Sequence, residues 1–139
     1  MFRYRICKTF TVESGHMLSK HPEECRYPHG HTRQIEVVVS SETLDSNDMV
    51  MDFKALKLAV SDYIQRLDHS MAVNSEDPLL ESIRAVHPES LIVFEGVDPT
   101  TEVLARDLFD FASSVLPCGV VLERVRVWET PSCWAEFGI

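Results

Sequence analysis

The sequence predicts an α+β domain with helices packed on one face of an antiparallel sheet. Three observations carry that prediction. Apolar and polar residues alternate near both ends of the chain, at the period of a half-buried strand. Between those ends lie two segments, "FKALKLAVSDYIQRL" and "VLARDLFDFASSV", whose apolar residues recur at helical spacing. The resulting order is two strands, a helix, a short strand, a helix and two strands, and strand pairs flanking helices make such layers. The opposite face of the sheet must then meet water or another subunit.

Residues 3–13 read as the first strand, with Tyr4, Ile6, Phe10 and Val12 on one parity. Residues 31–43 read as the second, with Ile35, Val37 and Val39 aligned. "MVMDF" (Met49–Phe53) leads into a helix that Asp52 caps and that runs to about Leu67. Its apolar stripe is Phe53, Leu56, Val60, Tyr63 and Leu67. Residues 74–90 carry Pro78, Pro88 and many charges, which predicts a loop with one short helical turn. Leu91–Gly96 is a short buried strand, and Asp98-Pro99 opens a second helix with proline at its first position. Leu104, Leu108, Phe111 and Val115 form its stripe, and Pro117–Gly119 stops it. Val120–Glu129 is a strand, "TPS" a turn, and Cys133–Phe137 a closing strand.

At 139 residues the chain, 1–139, is one domain, large enough to bury a core but too short for two ordinary ones. Apolar residues make up 45% and charged residues 25%, the profile of a globular protein rather than a disordered or membrane-spanning one. The opening "MFRYRICKTF" alternates too strictly for a signal peptide, so a cytoplasmic location is expected. Cys7, Cys25, Cys118 and Cys133 are scattered without a Cys-x-x-Cys pair, which suits free thiols in a reducing compartment. A net charge of −9 argues against a non-specific nucleic-acid binder, and it obliges any anionic ligand to find local positive charge.

The chemistry is concentrated in "CRYPHGH" (Cys25–His31). On an extended chain His29 and His31 point the same way, on the parity of Ile35, Val37 and Val39. Continuing the apolar parity of the first strand past Val12 and Ser14 lands on His16. If the two strands pair, three imidazoles converge at one end of the sheet. Three neutral nitrogens without a fourth protein ligand describe a catalytic zinc site with one open position, whereas Cys25 as fourth ligand would close it. The same spacing also suits a solvated loop pair with His16 as a lone satisfied histidine. His21 and His87 stand in polar, proline-containing contexts and read as surface residues.

"GHM" at 15–17, "CRYPHGH" at 25–31, "MDF" at 51–53, "LDH" at 67–69, "PTTE" at 99–102 and "VWET" at 127–130 together resemble the 6-pyruvoyltetrahydropterin synthase family, over essentially the whole chain. The resemblance implies the tunnelling fold, a four-stranded antiparallel sheet with two helices on one face. It also implies a homohexamer built as a dimer of trimers, with sites at subunit interfaces. By position, His16, His29 and His31 correspond to zinc ligands, Cys25 to the catalytic thiol, and Asp68 with His69 to its partner dyad. Glu129 corresponds to the pterin anchor, and Thr100, Thr101 and Glu102 to the segment lining the pterin pocket.

The implied substrate is 7,8-dihydroneopterin triphosphate, whose polyol side chain must lose protons before triphosphate leaves. Zinc would act as a Lewis acid, Cys25 as a base with a lowered pKa, and Asp68 would set the tautomer of His69. A partly buried Glu129 would accept a bidentate pair from the pterin's N–H edge. Three residues separate Cys25 from His29, as in the 6-carboxytetrahydropterin synthases of queuosine synthesis. The pyruvoyl-forming branch places two more residues there. The carboxy product, with release of acetaldehyde and triphosphate, is therefore expected. The other readings are pyruvoyl formation, simple side-chain cleavage, and a pterin- or purine-binding homologue without turnover. The sequence departs from the family pattern at Val103, usually asparagine, and at Met17, commonly arginine. Lys20, Arg26 and Lys54 are the expected cations for the triphosphate.

Overall fold

The computed structural model describes residues 3–139; Met1 and Phe2, the first two residues of the alternating opening stretch, lie outside the described residues. The strands are β1 (Tyr4–His16), β2 (His29–Ser41), β3 (Ser70–Asn74), β4 (Leu91–Phe94), β5 (Val121–Thr130) and β6 (Cys133–Gly138). The helices are α1 (Phe53–Leu67), α2 (Leu80–Val86) and α3 (Thr101–Val115), with 3₁₀ turns at Glu24–Arg26 and Pro88–Ser90. No helix among them is long and apolar enough to cross a membrane.

The strands form one sheet in the order β4-β3-β1-β2-β5-β6. This corrects the expectation of a four-stranded antiparallel sheet with two helices: the sheet is six-stranded and mixed, and α2, in the segment expected to be a loop with one short helical turn, is a third helix. The antiparallel unit is β1, β2, β5 and β6, and the short strands β3 and β4 extend it in parallel beside β1. In "SMAVN" all but Met71 are buried, so β3 presents no alternation to read. It follows α1 after only Asp68 and His69, where its apolar residues are easily taken for the end of the helix.

Alternation along β1 and β2 turns Val12, Ile35, Val37 and Val39 inward, where Leu56, Val60 and Leu67 of α1 and Leu104, Leu108 and Ala112 of α3 cover them. Each of the valine, leucine and isoleucine side chains contributes roughly 1.5–3 kcal/mol by leaving water. The predicted stripes fray at their ends: Phe53 stays 54% exposed and Val115 39% exposed, since each occupies a terminal turn. Asp52 caps α1 as expected, accepting from the Lys54 N–H at 2.7 Å.

The start of α3 differs from the prediction. Thr100 is the N-cap, its hydroxyl accepting from the Val103 N–H at 3.2 Å, so Pro99 precedes the cap instead of opening the helix. Asp98 does not cap the helix either. Its buried carboxylate accepts from Ser19 N–H and hydroxyl, Lys20 N–H and the Asn74 amide, tying three segments together.

Candidate active site

Register builds the site. β1 and β2 pair antiparallel with His16 opposite His29 and Ser14 opposite His31, so the inward rows of both strands end in imidazoles at the same end of the sheet. The ring centroids stand 4.6 to 5.2 Å apart. One nitrogen from each ring falls in a cluster whose atoms all lie within 4.8 Å of one another, close enough to hold a metal ion.

The hydrogen bonds around the rings settle which nitrogens are free. Nδ1 of His16 lies 2.7 Å from the Pro99 carbonyl, and Nδ1 of His29 lies 2.7 Å from the Tyr27 carbonyl. A carbonyl can only accept, so both Nδ1 atoms carry a proton, which makes Nε2 the nitrogen that holds the lone pair of the neutral ring. Nε2 of His31 is buried and has no hydrogen-bond partner. Burial also favours the neutral rings. It is the main cause that pushes His16 down to about 4, with the Arg33 charge adding to it against the bond to Pro99. Burial, followed by Arg33, likewise lowers His31. Neutral imidazoles with inward lone pairs and one orphaned buried nitrogen are what a divalent metal requires, so the residues fit the group. These observations replace the solvated-pair reading.

Glu129, inward on β5 with the buried Val125 and Val127, brings its Oε1 to 3.7 Å from Nε2 of both His16 and His31. The Thr101 hydroxyl donates to that oxygen at 3.0 Å. The neighbouring cations of β5, Arg124 and Arg126, pair with Glu36 and Glu136 and not with Glu129. Glu129, His31 and Trp128 line a groove of about 580 Å³. On the other side of Gly30, a second groove of about 450 Å³ is lined by His29, His31 and His69.

Asp68 caps the C-terminus of α1 and accepts from the Glu13 N–H at 2.8 Å, while its other oxygen is 2.9 Å from Nδ1 of His69. The Glu13 N–H, helped by His69, holds the Asp68 carboxyl below the usual carboxylate range. His69 sits at φ +58°, a left-handed conformation uncommon for a histidine, held by its N–H to the Glu13 carbonyl at 2.6 Å. A dyad bent out of the helix this way faces the histidine groove.

The remaining predicted residues divide. Thr101 is buried in the site, whereas Thr100 acts as a helix cap and Glu102 is exposed in the first turn of α3. Cys25 sits half-buried on the 3₁₀ turn before β2, its carbonyl accepting from the Leu18 N–H at 3.0 Å. It is not among the clustered ligand atoms and lines neither groove. Met17 is fully buried with Val73 and Leu80, and Val103 packs against the main core. Lys20 and Arg26 belong to the loop between β1 and β2, near the histidines in sequence. Lys54 opens α1, a full helix length of about 20 Å from Asp68, and lies away from this end of the sheet. Sequence reasoning missed Arg33, which is completely buried behind the rings. Its signal was present: it shares the parity of His31 and Ile35.

Known proteins place the chain. A 6-carboxy-5,6,7,8-tetrahydropterin synthase of Aquifex aeolicus is 32% identical over 158 residues, covering 97% of this chain and 98% of that relative. A protein of the same name from Haemophilus influenzae is 27% identical, covering 96% and 98%. Among solved structures, an uncharacterized protein of Wolinella succinogenes superposes with a TM-score of 0.83 at 23% identity, covering 99% of each chain. The 6-pyruvoyl tetrahydropterin synthase of Caenorhabditis elegans does so at 0.71 and 22%, covering 100% of this chain and 97% of that one. The family profile described as 6-pyruvoyl tetrahydropterin synthase matches residues 5–138, the whole sheet from β1 to β6 with the histidine cluster inside it, and the chain belongs to that family.

Proposed function

We propose that this protein is a zinc-dependent 6-carboxy-5,6,7,8-tetrahydropterin synthase, converting 7,8-dihydroneopterin triphosphate to 6-carboxytetrahydropterin with release of acetaldehyde and triphosphate. The observation that carries the reading is the cluster of three imidazoles with a carboxylate at its rim and an Asp–His dyad on the adjoining groove. His16, His29 and His31 would hold the zinc ion, which supplies Lewis acidity toward the polyol side chain.

This chain's own groups do the rest. Glu129 accepts hydrogen bonds from the amino and ring N–H edge of the pterin, fixing the ring in its groove. Asp68 holds the proton on Nδ1 of His69, so Nε2 is the atom that takes or returns a side-chain proton. Cys25 is the second base, carried on the turn that leads into β2. Lys20 and Arg26 offer positive charge to the triphosphate, and packing of six copies would bring further groups to each site. The three-residue spacing from Cys25 to His29 favours the carboxy over the pyruvoyl product, as do the names of the curated relatives.

Zinc-stripped and zinc-restored protein should be compared for consumption of 7,8-dihydroneopterin triphosphate, beside Cys25→Ala. Turnover that returns with zinc and is lost in Cys25→Ala supports the reading. Tight pterin binding without turnover in the restored protein would favour a binding homologue instead, and full activity in Cys25→Ala would remove the thiol as base.

A further inference from the structure

Arg33 has no part in the reading above, yet it is among the largest completely buried side chains. A guanidinium keeps its charge in a protein interior, so burying one requires compensation. Its polar partners are neutral groups. Nε donates to the Ser14 hydroxyl at 2.9 Å and Nη1 donates to the Thr101 hydroxyl at 3.1 Å, while Nη2 stands 3.4 and 3.5 Å from the two nitrogens of His16, of which Nδ1 already carries a proton and cannot accept. The countercharge is one hydroxyl further on, where Thr101 donates to Oε1 of Glu129. Because a guanidinium can only donate, the Thr101 oxygen must accept from Arg33 and direct its single hydrogen at Glu129.

That same Oε1 lies 3.7 Å from two imidazole nitrogens of the cluster. Two atoms each bonded to a tetrahedral zinc at about 2.0–2.1 Å stand roughly 3.4 Å apart. Oε1 is therefore only about 0.3 Å farther from each of these two nitrogens than a co-ligand would stand. Left unrestrained, it would be drawn onto a dication held by the histidines and would close the site.

We propose that Arg33 is a positioning residue: through Thr101 it restrains the Glu129 carboxylate beside the histidine cluster and so keeps a ligand position of the bound metal open. The inference rests on the metal-centre part of the proposed function. The restraint has a second consequence, since a carboxylate kept off the metal remains available to a ligand's N–H groups.

Cobalt(II) and azide provide the test without any pterin. Wild type, Arg33→Met, Thr101→Val and the double variant Arg33→Met/Glu129→Gln are loaded with cobalt, and each is titrated with azide while the visible absorption is followed. Wild type should answer to azide, and the two single variants should bind cobalt but take azide at least about tenfold more weakly. Adding Glu129→Gln should restore the response, which a merely structural role for Arg33 would not produce. The fold of each variant is checked by circular dichroism before titration, and Thr101→Val, which keeps both the Arg33 charge and the Glu129 carboxylate, breaks the same chain of hydrogen bonds if Arg33→Met fails to fold. A single variant that binds azide like wild type, or a loss that Glu129→Gln fails to relieve, overturns the restraint alone. A wild type that binds cobalt and ignores azide does the same, whereas a wild type that takes up no cobalt overturns the metal centre as well.

Discussion

At the scale of single residues, the site is legible where side-chain parity fixes direction. His16, His29 and His31 could be aligned from the sequence because a strand alternates with period 2, and the register of β1 on β2 brings them together. Glu129 was legible for the same reason, as the end of a row with Val125 and Val127. Arg33 occupies such a row too, but a charged residue among apolar ones reads as an outward-facing exception until its buried partners are seen. Thr100 and Thr101 could not be told apart, because a shift of one residue at a helix start separates a cap from a site hydroxyl. His31→Ala should lose bound zinc in a metal assay while keeping its circular dichroism spectrum. Asp68→Asn should keep its zinc but turn over at least about tenfold more slowly, because an amide can hold either tautomer of His69; an unchanged rate would remove the dyad from the mechanism.

At the scale of elements, the strands and helices with clear periodicity are found where the sequence places them, and the misses are short or bounded by competing signals. β3 has five residues, four of them buried, and offers no alternation. α3 starts at Thr101 because Asp98 and Pro99 have other tasks, the one tying loops and the other presenting its carbonyl to His16. Burial alone would raise the Asp98 carboxyl, but hydrogen bonds from Asn74, Ser19 and Lys20 outweigh it and hold it below its ordinary value. Asp98 therefore stabilises the fold fully above its unfolded value near 3.9, and this stabilisation is lost as pH falls through the lower folded value. Asp98→Ala should cost about 2–4 kcal/mol in urea melts at pH 7, because it strands the buried Asn74 amide and the partly buried donors of Ser19 and Lys20. The gap to wild type should narrow at pH 3; a gap that stays constant would show that the carboxylate's charge is not what holds these segments.

At the scale of the whole molecule, the chain presents a sheet whose edges, β4 and β6, are unpaired within the one chain described. Tyr4, Met49 and Phe53 also leave an apolar groove at the end of the sheet away from the histidines. Exposed edges and apolar grooves ask for cover, and a homohexamer would supply it. Light scattering should report a particle of six copies, and a monomer at micromolar concentration would contradict that assembly. The proposed reaction is tested by identifying its products. Zinc-loaded protein is incubated with 7,8-dihydroneopterin triphosphate, and the products are identified by mass. The expected products are 6-carboxytetrahydropterin, acetaldehyde and triphosphate; a 6-pyruvoyl product, or unchanged substrate, would contradict the proposed function.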